Sequence, residues 1–135
     1  MQILHPNHWK AAKGYANGVI TSGRQIFVAG QIGWNSQQIF ESNDFIGQFQ
    51  QTLENILAVL AQADAKPEHI ARMTWYITDR QAYFDCQKEL GRVYKKLMGL
   101  HFPAMSVVQV AGLIEAQALL EIEVTAVIPG SHQPQ

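Results

Sequence analysis

Asp44-Phe-Ile-Gly-Gln-Phe-Gln-Gln-Thr-Leu-Glu-Asn-Ile-Leu-Ala-Val-Leu60 is the stretch on which the class of fold turns. Phe45, Ile46, Phe49, Leu53, Ile56, Leu57 and Leu60 recur at spacings of three and four, which puts them on one face of a helix. Ser42 and Asn43 stand before it as candidate caps, since a short polar side chain there can accept from a free backbone N–H of the first turn. After a loop through Ala65-Lys-Pro-Glu-His69 the period changes. From Ile70 to Thr78, Ala71, Met73, Trp75 and Ile77 alternate with Arg72, Thr74, Tyr76 and Thr78, the period-two pattern of a strand with one apolar and one mixed face. A one-sided helix next to such a strand predicts an α+β layer.

Working outward, Gly18-Val-Ile-Thr21 and Gln25-Ile-Phe-Val-Ala-Gly-Gln-Ile32 flank Ser22-Gly23 and read as a β-hairpin. Beyond the central strand, Asp79 can cap a second helix with a buried stripe of Tyr83, Cys86, Leu90, Val93 and Leu97. Gly99 is placed to end it in the left-handed conformation. Pro103 stops anything helical, and Ala104–Val110 and Ala118–Ile128 read as strands. The order is β-β-α-β-α-β-β, a single domain over residues 1–128 with two helices on one face of a mixed sheet. Residues 129–135 form an expected flexible tail. The other sheet face carries Thr74, Tyr76, Gln109, Glu121 and Thr125 among aliphatics. It is too apolar to be simply solvated, so association through the sheet is expected.

Composition narrows the function. The 135 residues are 47% hydrophobic and 16% charged, with a formal net charge of −1. That balance supplies no long-range field for nucleic acid or anionic lipid, and neither is an expected partner. Cys86 is the single cysteine, which precludes an intramolecular disulfide and a cysteine metal cluster and fits a reducing cytoplasm. No apolar run reaches about 18 residues and no signal pattern opens the chain, so a cytoplasmic protein is expected. The histidines are scattered, and no metal site is expected.

Several segments carry a resemblance. Gly14-Tyr-Ala-Asn-Gly18, Phe27-Val-Ala-Gly-Gln-Ile-Gly33, Gln51-Thr-Leu-Glu-Asn-Ile-Leu-Ala-Val-Leu60, Met73-Thr-Trp-Tyr-Ile-Thr-Asp79, Phe102-Pro-Ala-Met-Ser-Val-Val-Gln-Val110 and Leu120-Glu-Ile-Glu-Val124 follow one another in order and spacing. Together they resemble the Rid (YjgF, reactive-intermediate deaminase) family from about Lys13 to Ile128. The resemblance implies a chorismate-mutase-like subunit in a homotrimer, with small-molecule sites in the clefts between subunits. It implies metal-free, cofactor-free hydrolysis of enamines and imines to keto products and ammonia. In active members a glutamate on the last strand positions water, and that position is Glu121. An arginine after the proline-alanine pair clamps the substrate carboxylate, and that position is Met105. A thioether cannot offer the bidentate, charge-assisted grip of a guanidinium, so efficient 2-iminopropanoate hydrolysis is not expected. Ala29 and Val107 stand where active relatives often have serine and cysteine.

Each candidate residue has a competing role. Glu121 and Glu123 share a strand face, either as a coupled acid–base pair or as solvated edge carboxylates. Tyr15 and Trp34 can hold a planar substrate or pack as lid and plug. Met105 and Val107 can form a pocket wall for a neutral or apolar ligand, or fill core. Lys88, Arg92, Lys95 and Lys96 fit a solvated helix face, with RNA cleavage a lower alternative. The reading is a small enamine or imine deaminase, the alternative a non-catalytic small-molecule-binding trimer.

Overall fold

The computed structural model describes residues 1–130. Helix α1 (Phe45–Ala61) forms where the periodicity places it, but its cap is Asp44, whose side chain accepts from the Gly47 N–H at 2.7 Å. Ser42 stands one step back and takes the Asp44 N–H on its hydroxyl. Phe49, Leu53, Ile56 and Leu60 on the inner face of α1 are fully buried. Each contributes on the order of 1.5–3 kcal/mol through the apolar surface it removes from water.

Below α1 lies a four-stranded sheet. Strand β3 (Gly23–Ile32), β4 (Ile70–Ile77), β5 (Ala104–Gln109) and β6 (Leu120–Pro129) stand in the order β3-β6-β4-β5. β6 is antiparallel to both neighbours, and β4 and β5 are parallel. A parallel pair needs a long crossover, and helices α2 (Arg80–Asp85) and α3 (Gln87–Met98) supply it. Met73, Trp75 and Ile77 of β4 and Leu120, Ile122 and Val124 of β6 join the core cluster with Leu90, Tyr94 and Met98 of α3. The fold is α+β with a mixed sheet.

Three expectations change. Gly18–Ile20 does not pair with the strand that follows; as β2 it pairs antiparallel with β1 (Gln2–Leu4), a strand the sequence reading did not contain. Gly23 instead begins the long ladder between β3 and β6, opposite Pro129. The second helix is divided at Cys86 (φ −123°, ψ 29°), whose thiol donates to the Ala82 carbonyl at 3.1 Å. The break rotates the buried stripe: after Leu90 it runs through Tyr94 and Met98, while Val93 and Leu97 are half-buried. The helix ends as expected at Gly99, but with φ 69° and ψ −141° the residue takes a positive-φ conformation open to glycine rather than the left-handed helical one. β6 continues through Pro129, and the rest of the expected tail, residues 131–135, lies outside the described residues.

The face of the sheet away from the helices carries Arg72, Thr74, Tyr76, Glu121, Glu123 and Thr125, together with two exposed apolar side chains, Phe27 and Val108; Gln109, expected there, lies opposite Ile77 on the helix side and accepts from the Arg80 N–H. Among the described residues, no helix is long and apolar enough to cross a membrane.

Candidate functional site

The register of the sheet fixes which candidates meet. Met105 and Val107 lie opposite Met73 and Trp75 in the parallel β4–β5 pair, so both point to the helix side of the sheet. The chain before β2 is tied to the same strand. Ala16 bridges Ala104 and donates its N–H to the Pro103 carbonyl at 3.0 Å. This carries Lys13, Gly14 and Tyr15 to the edge of β5.

Between that segment, β5 and the α2–α3 crossover is a cavity of about 350 Å³. Its walls include Tyr15, Met105 and Val107, with Trp75 and Phe102 from the sheet side and Tyr83, Leu90 and Tyr94 from the helices. Tyr94 stacks on Phe102 at 5.2 Å with the rings 6° from parallel, and its hydroxyl donates to the His101 carbonyl at 2.6 Å. Burial pushes the Tyr94 phenol well above its ordinary range. Trp75 meets Tyr83 edge-on and lies against Phe49. Its indole N–H is buried and finds no acceptor among the described residues. Among the described residues no acidic or histidine side chain lines this cavity, and Lys13 supplies its charge.

Glu121 is elsewhere. It lies opposite Tyr76 in the β4–β6 pair and so projects from the helix-free side. Its carboxylate rests over Gly30, where an added Cβ would fall 1.9 Å from Oε2, so only glycine leaves room for the side chain in this position. Glu123, next on the same face, accepts the Tyr76 hydroxyl proton. That hydrogen bond, then burial and the nearby carboxylates, raises the Tyr76 pKa. Glu123 is thus held by Tyr76 while Glu121 has no such phenol.

Of the sequence candidates, the structure brings Tyr15, Met105 and Val107 together and leaves Glu121 and Trp34 apart from them. Trp34 packs on Phe40 at 5.8 Å, its carbonyl held by the Asn55 amide, and it does not line the cavity. Cys86 is half-buried, and burial, followed by Glu89 and Asp85, raises its thiol pKa. Lys88, Arg92, Lys95 and Lys96 are all exposed. No group of three or more His, Cys, Asp or Glu side chains among the described residues is arranged to hold a metal. Sequence reasoning passed over Trp75, Tyr83, Tyr94 and Lys13 as wall residues. Alternation marked Trp75 only as inward-facing, and the break at Cys86 that turns Tyr94 inward has no Pro or Gly to announce it.

The model of the family described as endoribonuclease L-PSP matches residues 6–128. The chain belongs to that family. It is the family of the Rid and YjgF proteins, as its relatives and structural neighbours show. A RutC family protein of Haemophilus influenzae is 31% identical over 126 residues, 93% of this chain and 96% of the relative. Another, PM1466 of Pasteurella multocida, is 29% identical over 126 residues, with coverage of 93% and 97%. Among solved structures, the Rid family protein YyfB of Yersinia pestis superposes with a TM-score of 0.80 at 28% identity, covering 94% of this chain and 98% of that one. Rv2704 of Mycobacterium tuberculosis, of the YjgF/YER057c/UK114 family, gives 0.65 at 30% identity, with coverage of 85% and 87%. The fold of this Rid-family chain is therefore that of its relatives over nearly its full length.

Proposed function

We propose that this Rid-family protein hydrolyses a small enamine or imine in a cleft between neighbouring copies of the chain, within a homotrimer. One copy offers the cavity walled by Tyr15, Met105 and Val107, and the next offers Glu121 from its helix-free face. The observation that carries this reading is the placement of Glu121 over Gly30 on the face opposite the cavity. One copy holds a seat for a planar ligand without a base, and the same copy holds a base without a seat.

In the reaction, Glu121 takes a proton from water as the oxygen bonds to the imine carbon and the C=N π pair moves to nitrogen. Glu121 returns that proton to the nitrogen to give the carbinolamine, whose hydroxyl proton passes to the amine as C=O forms, so that the C–N bond breaks and ammonia leaves. An enamine first takes a proton at carbon to become the imine. The Tyr15 ring gives a planar substrate an apolar face, and Met105 and Val107 shape the floor.

The test is ammonia release from freshly generated enamines and imines, both carboxylated and uncharged, with Glu121→Gln alongside. Faster release by the wild type than by the variant supports the reading, while equal rates across the panel refute it. A second reading, binding without turnover, is favoured by a cavity wall that holds no acid or histidine among the described residues. Thermal stabilisation by a ligand that is recovered unchanged would support it.

A further inference from the structure

The resemblance places an anion clamp on β5, where this chain has Met105. The question the structure raises is which group in the cavity can still read a charge. Of its polar side chains, Tyr94 and Gln87 are engaged within the fold, and the Tyr15 and Tyr83 hydroxyls carry no charge with which to hold an anion. The Tyr94 hydroxyl donates to the His101 carbonyl, and the Gln87 amide nitrogen donates to the Tyr83 carbonyl at 2.7 Å. The Trp75 indole nitrogen lies out of reach of solvent. Among the described residues Lys13 is the single charged side chain in the wall; it is exposed, on the segment that the Ala16–Ala104 bridge ties to β5. The interior is aromatic and aliphatic, and about 350 Å³ is the scale of pockets that enclose ring-sized or larger ligands rather than a three-carbon acid.

We propose that this cavity selects an amphipathic anion, with an aryl or branched hydrocarbon body inside and its carboxylate held at the mouth by Lys13. The inference rests on the reading that the cavity seats the substrate, and it turns that substrate around. The carboxylate faces outward, and an imine carbon adjacent to it sits at the mouth, where Glu121 of a neighbouring copy would approach. Lys13 is then a specificity-determining residue. An ammonium at an exposed rim attracts a carboxylate in a salt-sensitive way, whereas the apolar walls reward buried area with no such screening.

The experiment uses the full chain and three matched probes, namely 3-phenylpropionate, its neutral amide 3-phenylpropionamide, and propionate, titrated by calorimetry at low and moderate salt. The phenyl carboxylate is expected to bind about fivefold more tightly than the amide at low salt. That advantage should disappear in Lys13→Gln, return in Lys13→Arg and shrink with added salt, and propionate should bind more weakly than both ring-bearing probes. Equal affinity for carboxylate and amide, an advantage that survives Lys13→Gln, propionate matching the phenyl acid, or no probe binding at millimolar concentration would each overturn the proposal. The titrations are repeated on Glu121→Gln. Lys13-dependent binding in a wild-type protein that releases no ammonia from any enamine or imine of the panel would sink the hydrolase reading and leave this one standing; turnover with no Lys13 dependence would do the reverse.

Discussion

Replacing Gln48 by leucine should cost this protein about 2 kcal/mol, although leucine is the more apolar residue and the site is 1% exposed. The Gln48 amide lies inside α1, where a helix facing a sheet ordinarily carries an aliphatic side chain. Its nitrogen donates to the Ser42 and Gln117 carbonyls at 3.1 and 3.0 Å, and its oxygen accepts from the Leu119 N–H at 2.8 Å. One side chain thus fastens the segment before α1 and the turn that launches β6. Leucine would remove all three hydrogen bonds, a loss of roughly 3 kcal/mol at about 1 kcal/mol each, with the half-buried Leu119 N–H left without an acceptor and the more exposed Gln117 carbonyl able to turn to water. The gain from an apolar side chain recovers part of this, and about 2 kcal/mol remains. With a urea slope of roughly 2 kcal/mol/M, the midpoint should fall by about 1 M. Urea melts of wild type and variant at the same protein concentration measure this, since association would otherwise shift the midpoint. A midpoint within about 0.2 M of wild type would show that the amide network is not a net support for the fold.

Gly30→Ala should leave stability within about 1 kcal/mol of wild type, because the atom in the way is the far end of the flexible Glu121 side chain, yet lower turnover toward the level of Glu121→Gln. Melting and ammonia release on the same samples would test this, and unchanged activity would disconnect the carboxylate's position from catalysis. The raised Tyr94 phenol favours the protonated folded state, so its contribution to stability is complete below the ordinary phenol value near pH 10 and is lost as pH climbs toward the higher folded value. Tyr94→Phe should flatten thermal stability above about pH 10 relative to wild type, and parallel pH profiles would refute that assignment. Met105→Arg should bring hydrolysis of small 2-imino acids at least tenfold above wild type if only a carboxylate clamp is missing from the cavity floor. No gain would mean that the aromatic walls have closed that older pose.

How much of this was legible beforehand depends on the range of the interaction that decides each element. The α1 stripe and the β4 alternation are set by neighbours a few residues apart, and both stand as read. The partner of Gly18–Ile20 is not local: the same three residues serve a turn at Ser22-Gly23 or a strand at Gln2–Leu4, and nothing in their own pattern chooses the latter. The division at Cys86 escapes periodicity because the side chains around it are ordinary helix residues, while the consequence, Tyr94 inward, builds half of an aromatic wall. Alternation along one strand shows that Met105 and Val107 share a face, as do Glu121 and Glu123. Whether the two pairs share the same side of the sheet follows from the registers of β4 with β5 and with β6, which join residues far apart in the chain.

That opposition of faces makes dilution an inhibitor. A chain whose seat and base look in opposite directions cannot finish a site alone, so under the proposed reading specific activity should fall as the protein is diluted below the dissociation constant of the assembly, with no unfolding. It also permits rescue between damaged copies. Met105→Glu and Glu121→Gln chains, each inactive alone, would regain turnover when unfolded together and refolded as a mixture, because some clefts would receive the sound half of each. The unit that evolution can repair or break is then the contact between copies, and the single fold serves as half a tool twice over.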